Sequence, residues 1–296
     1  MSAERSSRAA IDRAYTSLYT ELPTGLVGAA RRLPRRLGLA SRDDVGWGEV
    51  FEDTPILGLP TLLLGEGGRE VDEKLRACTQ RAHVFALLAA RIDAGVDAGQ
   101  LELDEELDGV LRGIERERNR ALAELRMLGG DRKLSFTLPE REVRTALARE
   151  REILTGEASA TLADYLTLST AKQNLAFPAI FAAGTVLDLT LEEVAAVHEL
   201  ILGIMLGIQI RDDVERWLEE DDKDSTWVAA LSSGRCSPLE LVTELLRLSR
   251  DAFERGAGAA SELGVEVLRC WASSEAEAIG ELERLTERRL APALAG

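Results

Sequence analysis

From residue 69 onward, apolar residues return every three or four positions with polar residues between them, which is the period of an amphipathic helix. The pattern predicts helices at about 69–96, 104–128, 139–155, 160–186, 190–222, 237–255 and 259–290. The breaks between them have chemical causes. Gly129-Gly130 closes one helix, and Leu138-Pro139-Glu140 opens the next with proline in the first turn. Thr190 followed by Glu193 reads as a capping box. The first 20 residues carry weaker helical periodicity. Residues 21–68 hold Pro23, Pro34, Pro55 and Pro60 with many glycines, and read as a loop-rich lead-in with short helices. No alternating strand pattern, fixed-period repeat or low-complexity linker interrupts the chain. The reading is one all-α domain over 1–296, with 1–68 as its lead-in.

Composition supports a folded helical chain: 45% of residues are hydrophobic, 30% charged and only 4% aromatic. The formal net charge of −16 argues against a nucleic-acid surface and against an anionic membrane as the main partner. Cys78, Cys236 and Cys270 are too scattered to suggest a zinc site or a disulfide framework. The N-terminus lacks the apolar stretch of a signal peptide, and no uninterrupted apolar run approaches the ~18–20 residues that cross a bilayer. The expectation is a cytoplasmic protein without a membrane span.

Three segments carry candidate chemistry. In the first, an apolar helix over 194–210 runs into Gln209-Ile210-Arg211-Asp212-Asp213 and then Glu219-Glu220-Asp221-Asp222. Gln209 and Asp213 share a helix face. Adjacent carboxylates at the inner end of a buried helix are costly without a cation, and Mg²⁺ takes such oxygen ligands. The competing reading is a solvated acidic helix end. The second segment, His83 to Gln100, repeats the design: an apolar helix ends in Asp93 and Asp97, four apart and on one face. Its competing reading is an ordinary helix stop before glycine. In the third, Lys172, Asn174 and several hydroxyls interrupt an apolar helix that Pro178 should kink. Lys172 then offers an ammonium to a phosphate, against the alternative of a surface lysine.

Together these segments resemble the trans-isoprenyl diphosphate synthases and class I terpene synthases of the isoprenoid synthase superfamily. Gln209-Ile210-Arg211-Asp212-Asp213 is similar to their second aspartate-rich motif, QxxDD. Asp93 and Asp97 are similar to the first and last aspartates of DDxxD. The resemblance covers about residues 75–230. It implies an antiparallel helical bundle around a deep apolar cavity, with Mg²⁺ as cofactor and a prenyl diphosphate as substrate. Asp93, Asp97, Asp212 and Asp213, with Glu220 or Asp221 further on, would be catalytic metal ligands. Lys172 would bind diphosphate and Gln209 would orient the second cluster. Asn174, Phe85 and Phe177 would lie near the substrate. Ala94 and Arg216 stand where the motifs normally carry aspartate, and no Arg-Arg pair follows the first motif.

These departures favour ionisation of one allylic diphosphate, as in a terpene synthase, over joining two isoprenoid units as a prenyltransferase does, in chain elongation or head to head. The low aromatic count weighs against cyclisation. A third reading is a non-catalytic prenyl-diphosphate-binding or partner subunit with a degraded metal site. A homodimer is compatible with each. His83 reads as a core or groove histidine, and Trp47 and Trp271 as packing residues. Arg284, Arg288 and Arg289 read as charges suited to a helix C-terminus.

Overall fold

The computed structural model describes residues 2–43, 45–66, 70–97, 99–130, 140–219, 226–232 and 237–294. Every regular element among them is helical. In chain order these are α1 (Ser2–Thr16), α2 (Leu18–Glu21), α3 (Thr24–Arg31), α4 (Leu33–Arg36), α5 (Trp47–Val50), α6 (Leu59–Glu66), α7 (Glu73–Asp97) and α8 (Glu105–Leu128). They continue with α9 (Glu140–Leu154), α10 (Leu162–Gln173), α11 (Phe177–Val186), α12 (Leu191–Glu219), α13 (Trp227–Ser232), α14 (Pro238–Glu262) and α15 (Glu266–Leu294). The all-α class is therefore observed. The chain forms two compact units: residues 1–138 with 175–194, and residues 139–174 with 195–296.

In the first unit, α7 and α8 pair along their length, α1 crosses α5, α6 and α7, and α11 lies on α7 and α8. One core gathers Ile11, Tyr15, Leu18, Trp47, Phe85, Leu88, Ile92, Val110 and Ile114. A second, rich in alanine, joins Leu75, Ala82, Ala121, Leu125, Ala179 and Ala183. The lead-in contributes more than loops. Tyr15 is buried edge-on to Trp47 at 5.4 Å between ring centroids and donates to the Ala30 carbonyl at 2.7 Å. The end of α7 is a glycine stop: Gly99 takes φ +70°, and Gln100 N–H donates to Gly95 C=O at 2.9 Å.

In the second unit, α9 packs on α10, and α14 and α15 form a hairpin across the tight turn at Gly264 (φ +70°). The expected break between 237–255 and 259–290 is corrected: α14 runs on to Glu262. Gly256 faces α12 there, and the residue the contact requires to be glycine is Gly203 of α12. The α12 and α14 backbones meet so closely that a Cβ on Gly203 would lie 2.7 Å from both the Ala252 carbonyl oxygen and the Gly256 nitrogen. Close packing outweighs the low helix propensity of glycine here. One turn on, Ser249 Oγ donates to the Gly207 carbonyl at 2.8 Å, fixing the stretch of α12 that leads into Gln209 and Asp213.

A second correction concerns 160–186. The expected kinked helix is two helices, α10 and α11, separated by a 3₁₀ turn at Asn174–Ala176. Pro178 sits in the first turn of α11, where its missing N–H costs nothing. The Thr190 capping box forms, with Glu193 N–H on Thr190 Oγ1 at 3.2 Å and Thr190 N–H on Glu193 Oε2 at 2.8 Å. Leu191–Leu218 of α12 is long and apolar enough to cross a bilayer by length and composition, a possibility the run-based reading passed over. In the structure, 61% of that window is buried, as in the core helix of a folded protein.

Candidate functional site

The polar cluster of the second unit is assembled from four helices. Tyr165, Ser169 and Lys172 follow one another on α10 at i, i+4 and i+7, so they share a face. Gln209 and Asp213 do the same on α12, while α9 supplies Glu150 and α13 supplies Trp227. Asp213 is the centre. Its Oδ2 accepts from Tyr165 Oη at 2.7 Å and from Gln209 Nε2 at 3.0 Å. Glu150 forms the second node: its Oε1 accepts from Lys172 Nζ at 2.7 Å and from Trp227 Nε1 at 2.8 Å. The Tyr165 and Trp227 rings pack edge to face at 4.8 Å between centroids, which joins the two nodes.

Electrostatics follow from this geometry. Loss of water raises the Asp213 carboxyl above the ordinary aspartate range. The Lys172 ammonium and the Tyr165 and Gln209 donors pull it back, while Glu150 adds to the rise. Tyr165 is fully buried, and burial and the neighbouring Asp213 charge hold its phenol well above the usual value, so it stays a donor. Two carboxylates, Asp213 and Glu150, face one ammonium, Lys172, leaving one negative charge in excess. The adjacent Asp212 turns outward; its side chain keeps 56% of its surface and pairs with Arg211 at 3.0 Å. Arg211 also reaches Glu275 of α15, which ties the outer face of α12 to that helix.

The donor chemistry fits a hard divalent cation. Asp213 offers carboxylate oxygen in an undercompensated setting, its orientation fixed by two neutral donors, and Mg²⁺ commonly takes one or two protein carboxylates and completes its shell with water and phosphate. Among the described residues, no group of three or more His, Cys, Asp and Glu side chains stands together as a metal cage. Asp213 could supply one carboxylate ligand to such a cation.

The other sequence candidates fall elsewhere. Asp93 is partly buried near the end of α7 in the first unit, and the side chain of Asp97 lies outside the described residues, as do Glu220 and Asp221 altogether. Phe85 is buried in the first unit's core. Phe177 is also in the first unit and stacks on Phe181 at 5.3 Å. Asn174 opens the 3₁₀ turn after α10. Sequence reasoning assigned no role to Glu150, Tyr165 or Trp227. Tyr165 was visible as a polar aromatic eight residues before Asn174-adjacent Gln173, on the face that carries Lys172. Nothing in the sequence distinguished Glu150 from the other acids of α9.

Comparison of the chain with family models, with curated proteins and with solved structures returns no match. The functional reading rests on the cluster itself and on the motif resemblance.

Proposed function

We propose that the chain is a Mg²⁺-dependent class I terpene synthase, which ionises an allylic prenyl diphosphate with loss of pyrophosphate. The observation that carries this reading is Asp213 held on one oxygen by Tyr165 and Gln209, at the acidic end of an apolar helix. Asp213 would hold the ion, while Asp212, the other ligand the resemblance implies, faces solvent and pairs with Arg211. Bound there, Mg²⁺ would act as a Lewis acid on the leaving diphosphate. Tyr165 and Gln209 keep the carboxylate aimed, so little reorganisation is needed when substrate arrives. Lys172 supplies the cationic side chain of the cluster, and Glu150 and Trp227 position it. The apolar stretch of α12 before Gln209 suits a prenyl chain.

A second reading has one observation in its favour. Lys172 and Asp213 already have internal partners, as a structural brace or a non-catalytic prenyl-diphosphate binder would arrange them. Pyrophosphate release separates the two. Geranyl, farnesyl and geranylgeranyl diphosphates are incubated with the chain and Mg²⁺, with and without isopentenyl diphosphate. The synthase reading expects release from an allylic substrate alone, reduced about a hundredfold or more by Asp213→Asn. Release only with isopentenyl diphosphate would reassign the chain as a prenyltransferase. A folded chain that releases none under any condition would leave the non-catalytic reading.

A further inference from the structure

We propose that the pocket between α1, α6 and α7 of the first unit binds a small phosphate-bearing anion of about pyrophosphate size. The pocket measures about 300 Å³. Glu73, Arg76, Gln80 and Arg81 reach it from one face of α7, at i, i+3, i+7 and i+8, and Arg13 reaches it from α1. It exists because Ala10, Ala14 and Ala77 stand at the helix contact, where longer apolar side chains would close the gap.

Charge selects the ligand class. The chain carries a formal −16, yet this pocket sets three guanidiniums against one carboxylate, Glu73. Neither Arg13 nor Arg76 is paired with a carboxylate among the described residues. Arg81 is held from behind, its Nη2 on Glu124 at 2.7 Å and its Nη1 4.0 Å from Glu117. The Nε atoms of Arg76 and Arg81 are both buried without an acceptor. Buried donors in that condition are rare, and guanidinium forks match the geometry of phosphate oxygens.

The floor of the pocket is already spoken for. Gln80 Oε1 accepts from Thr61 N–H at 3.2 Å and Thr61 Oγ1 at 2.7 Å, while its Nε2 donates to the Leu57 carbonyl. That lock between α6 and α7 leaves the arginines as the groups available to a ligand. The volume is at the small end for ligand sites, which suits pyrophosphate or the phosphate ester of a small alcohol. Arg81 precedes Asp93 by twelve residues on α7, about 18 Å along the helix axis, so this site is separate from the acidic helix end. It requires no metal and does not depend on the synthase reading.

The test is calorimetric titration of the full chain with sodium pyrophosphate, in EDTA and at fixed ionic strength, so that Mg²⁺ chemistry is silent. Saturable one-to-one binding is expected, weakened about tenfold or more by Arg76→Gln and by Arg13→Gln. Arg13 is exposed, so its replacement leaves the fold intact. Asp213→Asn should bind unchanged. Absence of saturable heat with both pyrophosphate and inorganic phosphate would overturn the proposal. So would equal binding by both arginine variants, loss of binding in Asp213→Asn, or binding of citrate without pyrophosphate.

Discussion

α7 and α12 carry the same design in sequence, an apolar helix ending in carboxylates, and the structure treats their ends differently. At the end of α7 the backbone turns off at Gly99, as an ordinary glycine-stopped helix does. The polar side chains that α7 buries lie further back: Thr79, Gln80 and His83 are each 2% exposed or less. Gln80 and His83 are spent on the backbone of a 3₁₀ turn at Ile56–Gly58 and on the Thr61 hydroxyl of α6. At the end of α12, by contrast, a carboxylate is drawn inward and met by donors from its own helix and from α10. A shared pattern of apolar residues and acids therefore does not imply a shared role. What marks the α12 end is the pair of donors, Tyr165 and Gln209, that meet Asp213.

The largest expected effect belongs to α7. His83 is fully buried with Nε2 2.8 Å from the Ile56 carbonyl, and burial pushes its pKa down to about 4. The unfolded chain takes up this proton near pH 6.5, whereas the folded chain resists it until about 4. The folded pKa is depressed, so the stabilisation is complete above about 6.5 and is lost as pH falls toward 4. The loss should approach about 3 kcal/mol. Urea denaturation from pH 8 to 4 should show the wild type losing stability below pH 6.5 by that margin relative to His83→Gln, which does not titrate there. Parallel curves for the two proteins would show that His83 is not the acid-sensitive group of α7.

The helices were legible because their causes are local: apolar spacing and the Thr190–Glu193 cap. The end of α14 was not. Gly256 breaks a helix by propensity, but here it admits the α12 backbone at Gly203, a contact that no local pattern contains. The acid pair was legible as chemistry, though its two members part company. Asp213 faces inward and Asp212 faces solvent, because neighbours on a helix are about 100° apart. Which of them is the inner one was readable from Gln209, four residues before Asp213. Tyr165 shares a face with Lys172 on α10, but its pairing with Asp213, and the parts of Glu150 and Trp227, were not readable, since the three come from three other helices.

Tyr165→Phe tests the α12 side of the comparison with a smaller expected effect. The substitution keeps the ring against Trp227 and removes only the hydroxyl that donates to Asp213. A hydrogen bond to a charged partner contributes about 2 kcal/mol, so stability near pH 8 should fall by about that much. The cost should shrink near pH 4, where a protonated Asp213 needs the donor less. An unchanged denaturation midpoint at pH 8 would mean that Tyr165 does not support the carboxylate.

The smallest effect has the opposite sign. Desolvation raises the Asp213 carboxyl, so the folded chain binds its proton more tightly than the unfolded chain does. Stability contributed at this position therefore falls as pH rises from about 4 through the raised value, and the deficit is complete at higher pH. Asp213→Asn removes the charge and keeps a carbonyl oxygen for Tyr165 and Gln209. In metal-free buffer at pH 8 the variant should be more stable, with a higher Tm, and the gain should fade toward pH 4. The same substitution is expected to abolish pyrophosphate release. A residue kept at a cost to stability and needed for turnover is what a functional carboxylate looks like in a helical core. A variant that is both inactive and less stable at pH 8 would instead make Asp213 a structural anchor, with its loss of activity secondary to a loosened fold.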